Sequence, residues 1–486
     1  MKHTAKLLAL LTVALLVPQA GCNDPLRVSI PSIVPPGSLS DTAALGTLRA
    51  GAIGDFSIAY SGDHPDGNGG TGEGVIMYGG LLADEWINSE TFPTRIEVDA
   101  RTIQVTNADV DLWYRLLHQS RNSAEKTAAQ YAALLPMDLG HAEVLSLAGY
   151  TYLFFAETFC SGVPVSHLNP ATGDITYGVP LTTTQLLDTA IARFDAATAA
   201  ANSDTVAADT TPKRAMLNLA AIGKARALLD GGAFAAAATA VAGVATDFAY
   251  LSQHSEISDF ENNGVFNGNT VDRRYSVADS EGGNGLGWRS VVDPRTPSLL
   301  RPQGSHTGFD GSTLQFNTLR FGDRKAGIPV ATGVEARLIE AEAALRADTA
   351  TASAAFLAAL NDPRANASGR AYFNPNPFDR TNPLTNQVAV LPNLTATDAT
   401  SAGGAVNLLF NERARWLWLT AHRLGDLRRL VRPFANGGYG RAENTVFPTG
   451  PYFKPGSPPY GTDVNIPVPI TEQNNPNFTA CLDRLP

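Results

Sequence analysis

Apolar residues recur at helical spacing through most of this chain, in paired segments that short turns divide. One pair meets near Pro136, where Asp138 stands in position to cap the second segment. Another pair is divided by Asp230-Gly231-Gly232, and glycine favours the left-handed end of a helix. The two later pairs occupy about 30 residues each, close to the period of tetratricopeptide repeats. The spacing predicts helical hairpins at about 108–160, 214–245 and 334–364.

These hairpins differ from one another and lie far apart, which favours an embellished helical array over a regular solenoid. Between 264 and 327 the helical periodicity is lost and Gly, Asn, Ser and Asp become frequent, as in a functional loop region. A last helix is predicted over 407–431, and one short strand over 464–470. The expected fold class is mainly α, a tetratricopeptide-like scaffold of helical hairpins with long loop insertions and a few short strands. We expect a single domain that spans 41–486.

The N-terminus has the features of an export signal. Two lysines precede an apolar run of 11 residues, Leu7–Val17, which is too short for the roughly 20 residues of a membrane span. Small residues then stand directly before Cys22, as in a bacterial lipobox. We expect 1–21 to be a lipoprotein signal peptide, Cys22 to carry the lipid, and 22–40 to form a flexible tether. Ordinary cleavage near Ala20, which would give a free periplasmic protein, is the alternative.

The charge of the chain limits the class of partner. Its 486 residues carry a formal net charge of −10, and no block of basic residues is present. A mildly acidic chain of this kind argues against nucleic acid as a partner.

The cysteine content suggests one internal crosslink. The chain has 3 cysteines, so lipidation of Cys22 leaves only Cys160 and Cys481. An even pair in an exported protein favours a disulfide. Two separate buried thiols are the alternative.

Four short motifs follow one another along the mature chain. They are Ala142-Glu143 with Gly162-Val163-Pro164, Arg337–Ala343 with Asn361 and Arg364, Glu412-Arg413 with His422-Arg423 and Asp426–Arg429, and Ile466–Pro469 with Glu472 and Asn475-Pro476. Together with the lipobox, their order resembles the SusD/RagB-like nutrient-binding lipoproteins over essentially the whole mature chain. The family usually has Glu where Trp416 stands, and Glu-Gly where Thr420-Ala421 stand, which indicates a divergent branch.

The resemblance implies a location and a role. Members of this family are outer-membrane surface lipoproteins with a tetratricopeptide-like helical scaffold. They form a lid over a SusC-like TonB-dependent barrel transporter and bind a nutrient, most commonly a glycan, with peptides as another class. The resemblance therefore implies a binding protein that needs no cofactor and is not an enzyme.

The predicted helix 407–431 concentrates charged residues, namely Glu412, Arg413, His422, Arg423, Asp426 and Arg428. His422 and Asp426 are four residues apart and would share a helix face, so a metal or acid–base site is one interpretation. The favoured interpretation is an ion-pair network that locks this helix to its neighbours. Arg428 and Arg429 would also favour the helix dipole from its C-terminal end.

Other motifs give no specific chemistry. Gly67–Gly72 formally fits a dinucleotide fingerprint but lacks a preceding strand, and the nearby Asp63, His64 and Asp66 lack the full spacing of a cation site. No zinc-protease, nucleophile-elbow or Cys-x-x-Cys motif is present. We expect no catalytic residue, metal or cofactor. An exported glycan-active hydrolase remains an alternative, because glycosidase carboxylates cannot be recognised from spacing. A protein-interaction scaffold is another.

Ligand contacts are expected among aromatic residues of the predicted loops, because sugar recognition combines exposed aromatic faces with planar polar groups. Trp288 and Arg289, with Asp293 and Arg295 close behind, form the first candidate. Trp86 is the second. Packing of the loop onto the scaffold is the alternative role for Trp288. The remaining tryptophans lie on predicted helices and are expected in the core or facing a partner: Trp113, Trp416 and Trp418.

Overall fold

The computed structural model describes residues 41–62, 73–169, 172–204, 211–301, 304–348, 352–366, 391–434 and 437–486. The predicted anchor Cys22, its tether and the segment Asp63–Gly72 lie outside these ranges, so the expectations about them stay predictions. Within the described part of the chain, no helix is long and apolar enough to cross a membrane.

The described residues are mainly α-helical, which confirms the predicted fold class. The helices are α1 (Leu45–Ser61), α2 (Val75–Leu82), α3 (Pro93–Asp99), α4 (Ala108–Leu134), α5 (Leu139–Thr158), α6 (Thr183–Ser203), α7 (Thr211–Asp230), α8 (Phe234–Val241), α9 (Gly333–Ala347), α10 (Ala354–Ala365), α11 (Ala396–Ser401), α12 (Ala405–Trp416) and α13 (Arg423–Val431). Shorter helical turns lie at Thr42–Ala44, Asp259–Glu261, Gly264–Phe266, Asn267–Val271, Glu281–Gly283, Glu443–Thr445 and Ile470–Asn474.

The strands are short and form two-stranded antiparallel pairs. These are β1 (Trp86–Asn88) with β7 (Tyr275–Val277), β2 (Val163–Pro164) with β5 (Pro180–Leu181), β3 (His167–Leu168) with β4 (Ile175–Thr176), β6 (Ala249–Ser252) with β10 (Ile328–Thr332), and β8 (Ser298–Leu300) with β9 (Phe316–Thr318). Three of the pairs use strands from the loop-rich region 264–327 or its borders, and β1–β7 joins that region to the early part of the chain.

The long helices pack in a row, so that α4 and α5 form one hairpin, α1 covers α4, and α6 lies against both α5 and α7. Helix α6 is absent from the sequence prediction, although Thr182 and Gln185 form a capping box at its start. The ring of Phe194 on α6 fills the groove between its neighbours. A Cβ atom added at Gly149 or Gly223 would lie only 2.7 or 2.3 Å from that ring. These two glycines therefore permit the close approach of the three helices.

The predicted helix 407–431 is wrong as a continuous helix. It is broken between α12 and α13, where Leu419 and Ala421 adopt left-handed φ values of 56° and 61°. Contacts from distant segments satisfy the backbone of the break, since Leu419 N donates to Glu85 Oε1 at 2.9 Å and Tyr60 OH donates to the Thr420 carbonyl at 3.1 Å. Ala421 stands where the SusD/RagB-like proteins that the sequence resembles usually have glycine, the residue that adopts a positive φ at the least energetic cost.

A buried ion-pair network joins α12 and α13 to the rest of the array. Asp426 accepts from Arg413 at 2.8 and 2.9 Å and from Arg429 at 2.7 Å. Arg429 also pairs with Glu342 at 3.1 Å and Asp230 at 2.8 Å. Because these partners come from α9, α7 and the motif helices, the network fixes three hairpins to one another. Groups of side chains that could hold a metal ion are absent from the described residues.

Further pairs extend this network outward. Glu412 accepts from Arg295 and Arg364, Arg423 donates to Asp84 at 2.6 and 2.7 Å, and His422 Nε2 lies 3.0 Å from Glu335. The charged motif thus reaches the loop-rich region through Arg295 and the early chain through Asp84.

Arg428 and Arg429 lie in the last turn of α13, as predicted. The Nη1 of Arg428 donates to the carbonyls of Ala156 and Phe159, at 2.9 and 3.4 Å, so its hydrogen bonds serve the C-terminal end of α5. Burial lowers the pKa of Arg428 to about 9. Arg429 lies within the ion-pair network.

The predicted strand 464–470 is also wrong. Only Ile466 forms a β-bridge, with Phe159, and the helical turn Ile470–Asn474 follows. Pro467 and Pro469 lack an N–H donor, so a β-ladder cannot continue through them. Next to this bridge, Cys160 and Cys481 are joined with an S–S distance of 2.11 Å. The C-terminal tail is therefore tied to the end of α5.

Candidate functional site

The two tryptophans chosen from the sequence are not ligand contacts in this structure. Trp288 is 1% exposed and Trp86 is 0% exposed. Trp288 stacks on Trp418 with ring centroids 6.0 Å apart, and its Nε1 donates to the Asp84 carbonyl at 2.5 Å. Trp288 packs against the segment between α12 and α13 and is not exposed, because burial of so large an aromatic surface is more favourable than leaving it in water.

The charged residues near Trp288 are structural as well. Arg295 is buried between Glu412 and Asp293, with N–O distances of 2.7 Å to each. Arg289 is half-buried, and its guanidinium carbon lies 3.8 Å from the centroid of the Phe316 ring. The buried Trp288 and Arg295 thus fasten the loop-rich region to the helices, and the expectation that Trp288 offers an exposed aromatic face is wrong.

A different set of aromatic rings is exposed at the loop-rich end. Phe92, Phe309 and Phe453 are 43%, 50% and 39% exposed. The rings of Phe92 and Phe309 lie 6.4 Å apart at an angle of 32°. The guanidinium carbon of Arg274 lies 5.6 Å from the first ring centroid and 5.9 Å from the second. We call Phe92, Phe309, Phe453, Arg274 and Lys454 the aromatic platform.

The loop that carries Phe309 is held by backbone contacts to two other segments. Phe309 N donates to the Arg273 carbonyl at 2.9 Å, and Asp310 N donates to the Ser89 carbonyl at 3.0 Å. A Cβ atom at Gly308 would lie 2.4 Å from the Cβ of Ser89, so only glycine permits this approach. The ring of Phe309 is therefore positioned before any ligand arrives.

Lys454 connects the third segment to the other two. Its Nζ donates to Asn88 Oδ1 and to Asp310 Oδ2, each at 2.9 Å, and to the Glu90 carbonyl. The same ammonium lies 6.0 Å from the centroid of the Phe453 ring. One cation thus ties the chain near residues 88–90, the Phe309 loop and the turn that carries Phe453.

The electrostatics of the platform are set by two carboxyl groups. Burial raises the pKa of Glu90 to about 7, although Arg95 and Arg274 act in the opposite direction. Burial also acts to raise the pKa of Asp310, but hydrogen bonds from Thr313, Ser312 and Lys454 outweigh it and lower the pKa to about 2. Asp310 is therefore a fixed anion that holds Lys454, and the exposed part of the platform is mainly aromatic.

Sequence reasoning missed Phe92 and Phe309, and one local signal was present. Phe92 directly precedes Pro93, and Phe309 lies in Gly308-Phe309-Asp310-Gly311. A single aromatic residue between turn-forming residues has little local surface to pack against, which favours exposure. Nothing in the sequence near Phe453 brings it to the other two rings.

The comparisons with known proteins agree with this architecture. No protein-family model matches the sequence, and no curated protein sequence matches it significantly. Solved structures do match, among them a SusD-like protein from Bacteroides fragilis, with a TM-score of 0.59, 12% identity, and coverage of 94% of this chain and 100% of that one. The surface glycan-binding protein A from Bacteroides uniformis gives a TM-score of 0.57, 12% identity, and coverage of 91% and 99%.

A laminarin-binding SusD-like protein gives a TM-score of 0.52, with 13% identity and coverage of 91% of this chain and 99% of that one. The protein therefore has the SusD-like fold over most of its length. The resemblance that the sequence motifs indicated is confirmed for the fold.

Proposed function

We propose that this protein binds an oligosaccharide at the aromatic platform. The observation that carries the proposal is the set of three exposed phenyl rings on segments that Lys454 and backbone contacts join, with Arg274 beside two of the rings. Exposed apolar surface of this kind marks binding sites on soluble proteins. Phenyl rings offer flat faces for the C–H surface of sugar rings, and the guanidinium of Arg274, which lies close to two of them, supplies donors for hydroxyl groups. Two proteins of the same fold are named for binding a glycan or laminarin.

Phe309→Ala and Phe92→Ala are each expected to weaken glycan binding about five- to twelvefold, because one aromatic face contributes about 1–1.5 kcal/mol beyond its buried area. The measurement is calorimetric or electrophoretic titration with a panel of soluble glycans that includes laminarin. Phe260→Ala is the matched control, since Phe260 is 53% exposed and belongs to no aromatic pair among the described residues. Binding that survives in the Phe92→Ala, Phe309→Ala double variant would place the site elsewhere.

The proposal includes capture without cleavage. The same panel, incubated with purified protein and examined for shorter products, separates a binding protein from a hydrolase. Release of reducing ends by the wild-type protein would contradict this part of the proposal. The location of the site would then still be tested by Phe309→Ala.

The proposal also places the protein on the outer membrane, anchored through Cys22 and associated with a SusC-like TonB-dependent transporter. Cys22→Ala is expected to move the protein from the outer-membrane fraction to the soluble fraction, because the several acyl chains of a lipoprotein supply the attachment. Cys481→Ala is the matched control and should stay in the membrane. Cys22→Ala protein that remains membrane-bound would contradict the anchor. Absence of a barrel transporter from the solubilised wild-type complex would contradict the association.

A further inference from the structure

Two buried carboxyl groups meet behind the aromatic platform. Asp99 ends α3, and Glu281 starts the helical turn Glu281–Gly283 of the loop-rich region. Both side chains are buried, and each carboxyl group affects the pKa of the other, so the two groups are neighbours. Asp99 Oδ1 and Glu281 Oε2 find no conventional donor among the described residues. Each carboxyl group thus has one open oxygen, and the other carboxyl group is its neighbour.

The other oxygen of each carboxyl group accepts a hydrogen bond from a tyrosine of one C-terminal turn. Asp99 Oδ2 accepts from Tyr452 OH at 2.5 Å and from Asn88 N at 2.7 Å. Glu281 Oε1 accepts from Tyr460 OH at 2.8 Å, and the two tyrosine rings meet edge to face at 5.1 Å. Phe453 and Lys454 of the platform lie between these two tyrosines in the sequence. The carboxyl pair therefore holds both ends of the turn that we call the 452–460 turn.

No cation forms an ion pair with either carboxyl group within the described residues. The nearest charges are Lys454, which favours ionisation of Asp99, and Asp84, which opposes ionisation of Glu281. Arg101 also faces Glu281, but its hydrogen bonds go to Glu443 and to backbone carbonyls. Two adjacent carboxylates in such a site repel each other, and one retained proton removes the repulsion and links the two open oxygens.

We propose that Asp99 and Glu281 share one proton, and that this proton fastens the 452–460 turn to the rest of the aromatic platform. Burial raises the pKa of Asp99 to about 6 and raises that of Glu281 well above its usual range. A raised folded-state pKa gives stability that is complete below the unfolded-state value of about 4 and is lost as the pH rises through the folded-state value. Alkaline pH therefore loosens the turn.

Hydrogen–deuterium exchange of the 452–460 turn tests this lock without a ligand. Tyr460 N donates to the Gly450 carbonyl and Gly461 N to the Ala100 carbonyl, so both amides report on the turn. The wild-type protection factors are expected to fall about tenfold or more between pH 6 and pH 9, the effect of one pKa unit. In Glu281→Gln the amide donates to Asp99 and its oxygen still accepts from Tyr460, which imitates the protonated acid. Its protection factors should not change over this pH range.

Glu85→Gln is the matched control, because burial raises the pKa of Glu85 to about 8 and its Oε1 binds Leu419 N, outside the turn. It should keep the wild-type pH dependence of protection at Tyr460. Equal wild-type protection at both pH values, or wild-type behaviour of Glu281→Gln, would overturn the shared proton. If Glu281→Gln does not fold, Asp99→Asn replaces it. In Asp99→Asn the amide is at position 99 and donates to the carboxylate of Glu281.

A consequence for ligand capture rests on the proposed function. Laminarin affinity of the wild-type protein should decrease from pH 6 to pH 9, and that of Glu281→Gln should not. Laminarin that binds neither protein at either pH, with the exchange result as expected, would refute laminarin as the ligand and leave the lock intact. If laminarin binds but the hydrogen exchange of the 452–460 turn does not change with pH, the lock is refuted and the binding function is not.

Discussion

Asp426→Asn is expected to lower the free energy of unfolding by about 3–5 kcal/mol, the usual cost of removing one partner from a buried ion pair. Asp426 is the anion shared by Arg413 and Arg429, and all three side chains are buried. Asparagine keeps the shape but removes the charge, so Arg413 loses its nearest anion and Arg429 keeps only Glu342 and Asp230 in a site from which water is excluded. Urea denaturation monitored by circular dichroism measures the change.

Asp195→Asn is the matched control for this experiment, since Asp195 is 53% exposed and pairs with Lys224 at the surface. A surface pair of this kind contributes about 0–1 kcal/mol. The pH dependence gives a second test. Burial acts to raise the pKa of Asp426, but Arg413 and Arg429 outweigh it and lower the pKa below its usual value. Its stabilisation is therefore present above the unfolded value near 4 and is lost as the pH falls through the folded-state pKa. A variant as stable as the wild type at pH 7 would show that the network contributes no net stability.

Loss of the Cys160–Cys481 disulfide is expected to lower the free energy of unfolding by about 2–5 kcal/mol. The two cysteines are 321 residues apart in sequence, so the bond closes a very long loop and restricts the unfolded chain over most of its length. Replacing both residues by alanine avoids a free thiol. Thermal unfolding with and without the replacement measures the cost, and the C-terminal residues after 476 should lose exchange protection first.

Alkylation under denaturing, non-reducing conditions provides the direct chemical check of this crosslink. Neither Cys160 nor Cys481 should be labelled until reductant is added. Labelling of both in the native, unreduced protein would contradict the disulfide. The hydrogen bonds from Cys160 N to the Ile466 carbonyl and from Leu482 N to the Ser161 carbonyl, each 2.8 Å, hold the tail at the same place. The alanine variant is therefore expected to remain folded.

Polar contacts connect the charged motif helices to the aromatic platform. Asp84 accepts from Arg423 of the motif and receives the Leu286 amide of the loop-rich region at 2.8 Å. Two residues further along the chain, β1 starts and pairs with β7, next to Arg274. A short chain of polar contacts and one strand pair therefore connects the charged motif to the platform.

The sequence by itself determined the helical hairpins and the class of fold. Apolar periodicity, a capping aspartate at Asp138 and a left-handed glycine at Gly232 act within a few residues, so they can be recognised without knowing the rest of the chain. The ordered motifs also indicated the SusD-like architecture, and the comparison with solved structures confirms that fold.

Only the tertiary structure decided which aromatic residues face solvent. Trp288 is buried because Trp418 and Asp84, 130 and 204 positions away in sequence, meet it in space. Phe92, Phe309 and Phe453 form one surface because β1–β7 pairing, the Gly308 contact and Lys454 bring three remote segments together. Burial depends on the sum of such long-range contacts, whereas sequence periodicity reports only the nearest turns of a helix, so the helices could be predicted and the exposed aromatic residues could not.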